Sequence, residues 1–231
     1  MADSKFAVIG LGQFGLAIAK KLASKGAEVL AIDRNMERVD LVKDLVAYAA
    51  ALDSTDIKAL SSQNIADMDA VVVAIGENIE GLLLTTVLLL ELKAKRIIAR
   101  AMSSQQRLIL EKLGVKEILS PEDEVGTMIA ETLLKPHMKS FLSLPDGYEI
   151  AEIVPPNKVV HRTIEEIDFE ENYRMRLITL KRFYEEHHEG RKVTVEHLLK
   201  KLNRDTVIHP TDMLVVLGDS HDISKFLEIN R

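Results

Sequence analysis

The sequence predicts an α/β protein: a doubly wound parallel sheet, then a linking helix, then a smaller α+β domain. Three observations carry this reading. Short β-branched runs alternate with helical patterns from Lys5 to about Pro121, several of those runs are apolar throughout, and five of the six prolines then fall between Pro121 and Pro156, where the repeat stops. Strand and helix in regular alternation are best satisfied by parallel strands, because each connecting helix must pack back on the sheet. Strands covered on both faces lose the polar alternation of half-exposed ones. The run "AVVVAIG" shows this most clearly.

In order, the candidate strands are "FAVIG", "EVLAID", "AYAAAL", "AVVVAIG", "RIIARA" and "KEILS", and the intervening segments carry apolar residues at three- and four-residue spacing. The linking helix is expected from Pro121 to Pro136. Its start, "SPEDE", has Ser120 at the N-cap, Pro121 at the first helical position and acids in the first turn. Val125, Met128, Ile129, Thr132 and Leu133 share one face, so this helix should pack against something, and a partner subunit is a fitting candidate. Beyond Phe141, alternation over Tyr148 to Val154 and the runs "RLITLKR", "DTVIHP" and "DMLVVLGD" read as strands, and "ISKFLEI" as a closing helix. The charged segment Tyr184 to Arg204 fits either a long hairpin or a loop with a helix at "VEHLLKKL".

Composition excludes several classes of function. The 231 residues contain no cysteine and no tryptophan, which rules out disulfides, thiolate metal sites and cysteine nucleophiles. With 30 basic and 36 acidic residues the net charge is −6, and no basic block suggests a nucleic-acid surface. The N-terminus lacks the basic flank and unbroken apolar core of a signal peptide, so the protein is expected to stay in the cytosol. The longest apolar stretch, "GLLLTTVLLLEL", is shorter than the roughly 20 residues that span a bilayer. Any link to a membrane is therefore expected to run through a partner.

The stretch "AVIGLGQFGLAIAKKL" contains Gly10, Gly12 and Gly15 in the spacing of a Rossmann-like dinucleotide fingerprint. The first glycine permits the tight turn, the second lets backbone approach phosphates, and the third lets helix and strand pack closely. The helix starting near Gln13 would then aim its free N–H groups at the phosphates, and Gln13 and Phe14 join the candidate cofactor-binding residues. Asp33 closes the next strand, placed to accept hydrogen bonds from both ribose hydroxyls and to repel a 2′-phosphate, which disfavours NADP; it would also serve as a helix N-cap. Arg34 either lies on the adenine face or is solvated. Asp53 and Ser54 follow the third strand, where they meet the adenine edge, though "DSTD" is equally a good capping sequence for the next helix. Ile75 and Gly76 follow the fourth strand, where bare backbone passes near a ribose or phosphate. Arg100 ends the fifth and reaches a phosphate or the surface.

Together "FAVIGLGQFG", "EVLAIDRN", "AVVVAIGENIEGLLLTTVLLLEL", "RIIARA", "LEKLGVKEILSPEDEVG" and "DMLVVLGD" resemble the RCK family, regulators of potassium conductance, and within it the KtrA/TrkA-type subunits of potassium uptake systems. The resemblance covers nearly all of the N-terminal domain and the crossover helix, and the C-terminal domain more thinly. It implies an N-terminal RCK domain over 1–120 that binds ATP, ADP or NAD(H), a crossover helix and linker over 121–140, and a C-terminal RCK domain over 141–231. It also implies dimers joined through the crossover helix, commonly as an octameric ring beneath a potassium-translocating membrane subunit. Glu122 matches a glutamate at which some members bind a divalent cation between protomers; read alone, it is a first-turn acid favoured by the helix dipole. Many ATP-responsive members have arginine where this chain has Gln13, which leaves ATP over ADP selectivity open.

The competing reading is a small NAD-dependent oxidoreductase, which needs a proton donor beside the hydride acceptor, commonly Tyr with Lys four residues on. None of Tyr48, Tyr148, Tyr173 or Tyr184 has that lysine. His161 and His209 have no evident carboxylate partner in sequence, and "EEHHE" from Glu185 to Glu189 lacks metal-ligand spacing and reads as solvated charge.

Overall fold

A computed structural model describes residues 4–134, 138–188 and 191–231, without the side chains of 138–141, 186–188 and 191. The chain divides into two compact units, Met1–Gly126 and Thr127–Arg231.

The first unit alternates as its sequence pattern demands. It runs β1 (Lys5–Ile9), α1 (Gln13–Ser24), β2 (Glu28–Asp33), α2 (Met36–Asp40), β3 (Tyr48–Ala51), α3 (Ile57–Ser61), β4 (Ala70–Val73), α4 (Ile79–Glu91), β5 (Ile97–Arg100), α5 (Ser104–Lys112), β6 (Glu117–Leu119), and on into α6 (Pro121–Leu134). The six strands form one parallel sheet in the order β3-β2-β1-β4-β5-β6. Alternate side chains of each central strand enter opposite cores. Ala7, Ile9, Leu30, Ile32, Val71 and Val73 pack with Leu82, Leu89 and Leu110 on one face. Val8, Val29, Ala31 and Val72 pack with Leu11, Ala19, Val39 and Val42 on the other. This two-sided burial is why the strands read as unbroken apolar runs, and each large aliphatic chain so buried contributes about 1.5–3 kcal/mol.

The apolar run "GLLLTTVLLLEL" is α4. Its Leu82, Thr85, Thr86 and Leu89 are buried, while Leu84 and Leu90 are exposed. Among the described residues no helix is long and apolar enough to cross a membrane. In α6 no residue is buried, and Val125, Met128, Ile129 and Leu133 are exposed along the predicted apolar face. Ser120 accepts the Glu124 N–H at its carbonyl, and its hydroxyl takes a hydrogen bond from Arg107. The expected end of this helix at Pro136 lies outside the described residues.

The second unit continues with β7 (Met138–Ser143), β8 (Tyr148–Ile153), α7 (Ile164–Ile167), α8 (Phe169–Tyr173), β9 (Arg176–His188), β10 (Arg191–Leu198), β11 (Met213–Asp219) and α9 (Ser220–Ile229). Its five strands are antiparallel, in the order β10-β9-β11-β8-β7. Ala151, Ile153, Leu214 and Val216 point from β8 and β11 to a core that contains Phe169, Ile223 and Phe226. Phe226 is wholly buried, with the Tyr173 ring edge-on at 4.8 Å.

Three expectations for this unit are corrected or resolved. The segment 205–210 is not a strand; it contributes one isolated bridge, Thr163 to Val207, because Pro210 and the turn around Asp212 stop the pairing. The "RLITLKR" strand is longer than predicted and runs to His188, and "VEHLLKKL" is not a helix: β10 pairs with β9 through Leu198. Cross-strand pairing outweighs the local helical spacing there. The run Glu185–Glu189 is described only in part; Glu185 pairs with Lys192, and the side chains beyond it lie outside the described residues.

Candidate functional site

The carboxyl ends of β1, β2, β3, β4 and β5 open into a cleft of about 1040 Å³ in the first unit. This is where the strand order reverses, on either side of β1, the place where a doubly wound sheet leaves a crevice. Gly10, Gly12, Gln13, Phe14, Asp33, Arg34, Asp53, Ser54, Ile75, Gly76, Arg100 and Glu122 all line it. Of the predicted site residues, Gly15 alone is not in the wall; it lies behind it.

The glycines divide by what they touch. Gly10 has a φ of +93°, in the left-handed region, and a Cβ on Gly15 would stand 1.9 Å from the Gly10 carbonyl oxygen. Both are therefore required by the turn itself. Gly12 has ordinary extended backbone and a Cβ there would meet nothing within 4 Å. Nothing in the protein requires glycine at 12. Helix α1 begins on this residue with no side-chain cap and no acid in its first turn, whereas Asn35, Asp56, Asn78 and Ser103 cap α2, α3, α4 and α5 with side-chain acceptors. The first N–H groups of α1 are left for an anion entering the cleft.

Asp33 is 6% exposed and already engaged. Its Oδ2 accepts the Leu11 N–H at 2.6 Å, its Oδ1 accepts the Asn35 N–H at 2.8 Å, and Arg38 Nη1 lies 3.6 Å from Oδ2. The carboxylate thus clamps the glycine loop to the end of β2 while lining the cleft. The helix-cap reading of Asp33 is corrected: Asn35 caps α2, because its side chain reaches the Glu37 N–H.

The capping reading of "DSTD" holds through its last residue: Asp56 caps α3. Asp53 turns back on Thr55, whose hydroxyl and backbone N–H hold its carboxyl below the usual aspartate range, with Arg34 adding to the effect. That contribution is present at neutral pH and is lost as pH falls through the lowered value. The Ser54 hydroxyl sits 2.7 Å from that of Thr85, tying the loop after β3 to α4. Both residues are buried, so Ser54→Ala is expected to lower the stability of the unit by about 1 kcal/mol, read from its urea midpoint. An unchanged midpoint would show that the pair contributes nothing.

At the far side of the cleft Arg100 is stacked over the Phe14 ring at 5.0 Å and donates from Nη2 to the Glu122 carboxylate. Glu122 is held below the usual glutamate range, first by its own backbone N–H and then by Arg100. The surface reading of Arg100 is corrected: its side chain is 16% exposed. Among the described residues no three His, Asp or Glu side chains gather closely enough to hold a metal ion. The sequence reading missed Arg38, Glu77, Asn78, Glu80 and Met102 in the wall. Arg38 had a signal in its four-residue spacing from Arg34, and Glu77, Asn78 and Glu80 lie in the family-like run "IGENIEG" at the start of α4; Met102 arrives only through the loop after β5.

The family model of the TrkA-N domain matches residues 6–121, all of the parallel sheet but the first residue of β1. The chain belongs to the TrkA-N family. The Ktr system potassium uptake protein C of Bacillus subtilis (strain 168) is 33% identical over 222 residues, 96% of the TrkA-N chain and 95% of that protein. Among solved structures, the GsuK RCK domain superposes with a TM-score of 0.60 over 99% of this chain, at 15% identity; the chain spans 48% of its length, and the likeness is one of fold. The NAD(P)-binding domain of an exopolyphosphatase-related protein from Archaeoglobus fulgidus matches with a TM-score of 0.50 and 25% identity, over 56% of this chain and 97% of that one. The parallel sheet, the antiparallel second unit and the potassium-uptake relative bear out the predicted fold and family. The oxidoreductase reading gains no support: the relative that matches over 96% of the chain is named for a potassium uptake system.

Proposed function

We propose that this TrkA-N chain is the nucleotide-binding regulatory subunit of a membrane potassium uptake system. The observation that carries the nucleotide is Gly12, a bare backbone position that the fold does not require, at the uncapped start of α1 in a cleft. An adenine nucleotide, ADP, ATP or NAD(H), would lay its phosphates on those N–H groups and its ribose on Asp33. The Archaeoglobus fulgidus NAD(P)-binding domain supports the class of ligand, and the Bacillus subtilis protein the class of partner.

Asp33 would set a negative charge against a 2′-phosphate, so NADP is disfavoured. Gln13, at the first position of α1, offers a γ-phosphate no charge, which weakens any preference for ATP over ADP. Glu122 is one carboxylate ligand for a divalent cation, with the remaining ligands supplied from outside this chain. We further propose that the chain works at the cytoplasmic face of the membrane as a homo-oligomer, dimeric through the exposed face of α6 and closing into an octameric ring. In this division 1–120 binds nucleotide, 121–140 crosses over and 141–231 forms the second RCK domain. Two nucleotides switch such a ring through their different affinities for its two arrangements, and couplings of about 1–3 kcal/mol per site are typical.

Titration calorimetry of the full chain with ATP, ADP, NADH and NADPH tests the reading. Adenine nucleotides are expected to bind and exclude one another, with NADPH rejected. Preference for NADPH, or no binding of any of the four, would overturn it.

A further inference from the structure

One guanidinium joins three parts of the cleft. Arg100 leaves the end of β5, lies over the Phe14 ring in the first turn of α1, and donates to Glu122 in the first turn of α6. Its Nη1 stands 3.5 Å from where a Cβ on Gly76 would be, with the Met102 sulfur at 2.8 Å from the same point, so the guanidinium lies close against the bare backbone after β4. Its Nε is buried and has no hydrogen-bond partner among the described residues. A charge held this far from water, with a donor to spare, suits a stronger anion than the single carboxylate it holds.

We infer that Glu122 is a built-in stand-in for the ligand's phosphate: its carboxylate occupies Arg100 in the free chain and must give the guanidinium up when a nucleotide binds. This rests on the nucleotide reading and deepens it. The chemistry follows from relative strength. A pyrophosphate offers several charged oxygens on one rigid centre and engages a guanidinium in two parallel hydrogen bonds, and it arrives already anchored by the α1 N–H groups. Glu122 is half exposed, with a side chain 53% accessible, so it returns to water at little cost once displaced. The exchange turns ligand arrival into release of the first turn of α6 from the cleft. It also frees a carboxylate beside the bound phosphates, the position from which a divalent cation could be held.

The test is a binding cycle on the full chain in EDTA, which removes any cation-mediated role of Glu122. ADP and NADH, both carrying a pyrophosphate, are titrated into the wild type, Glu122→Gln, Arg100→Gln and the double variant. Glu122→Gln is expected to bind about threefold or more tightly than the wild type, since the competitor is gone. The gain should vanish in the Arg100→Gln background. Equal gains in both backgrounds would mean general charge repulsion and overturn the exchange, as would unchanged or weaker binding in Glu122→Gln. Failure of the wild type and Glu122→Gln alike to bind either ligand overturns the nucleotide reading itself, and the exchange with it. Native far-ultraviolet dichroism in all four proteins separates these outcomes from misfolding.

Discussion

Gly15→Ala is expected to unfold the first unit, while the same change at Gly12 leaves it folded and abolishes nucleotide binding. At 15 the new methyl would stand 1.9 Å from the Gly10 carbonyl oxygen and 3.0 Å from the Ala74 side chain. Neither the turn nor β4 can retreat, because Gly10 is fixed by its hydrogen bond to Ile32 O and Ala74 by one to Ile9 O. Overpacking of this kind costs about 3 kcal/mol or more, a large share of a domain's stability. At 12 the methyl enters open cleft, so stability should change by no more than about 1 kcal/mol. It would nevertheless stand where phosphates must approach the α1 N–H groups. Urea denaturation gives the first quantity and calorimetry the second. Wild-type affinity in a folded Gly12→Ala would place the phosphates elsewhere.

Asp33→Ala is expected to fail twice, in stability and in binding. The buried Leu11 N–H and the Asn35 N–H both lose their acceptor, and Arg38 loses its nearest carboxylate. Leaving such donors unpaired costs about 1–3 kcal/mol. The ribose contact would go as well, weakening ADP and NADH by about tenfold or more. Asp33→Asn separates the two effects. It keeps one acceptor for the loop but removes the charge, so it should fold better than the alanine variant and admit NADPH relative to NADH. Unchanged NADH affinity in a folded Asp33→Ala would remove the ribose contact and leave the residue a purely structural clamp.

The legible part of this protein is the part written in short range. All six parallel strands stand where short apolar runs predicted them; burial on both faces leaves its local mark most clearly on β1, β2 and β4, while β3 and β6 at the sheet edges are only partly covered. Gly10 and Gly15 could be read because turn chemistry needs glycine at fixed spacing. Helix caps were read less well: the chain offers Asp33, Asn35, Asp53 and Asp56 in close succession, and which of them caps depends on backbone geometry that composition does not encode. In the second unit β10 was ambiguous for a related reason. "VEHLLKKL" has helical spacing, yet its first four residues are the end of a strand, because the eight residues of β10 find partners across β9.

The sequence by itself determined the order of elements, the sheet, the glycine turn and the family, because each leaves its signal within a few neighbouring residues. The tertiary structure alone decided which side chains meet: Arg100 with Phe14 and Glu122, Ser54 with Thr85, Asp33 with Leu11. Those contacts join separate crossovers of a parallel sheet, whose strand ends are brought together only when the whole sheet has closed. Their partners lie 22 residues apart for Asp33 and Leu11, 31 for Ser54 and Thr85, and 22 for Arg100 and Glu122. No local propensity acts over such separations; packing does.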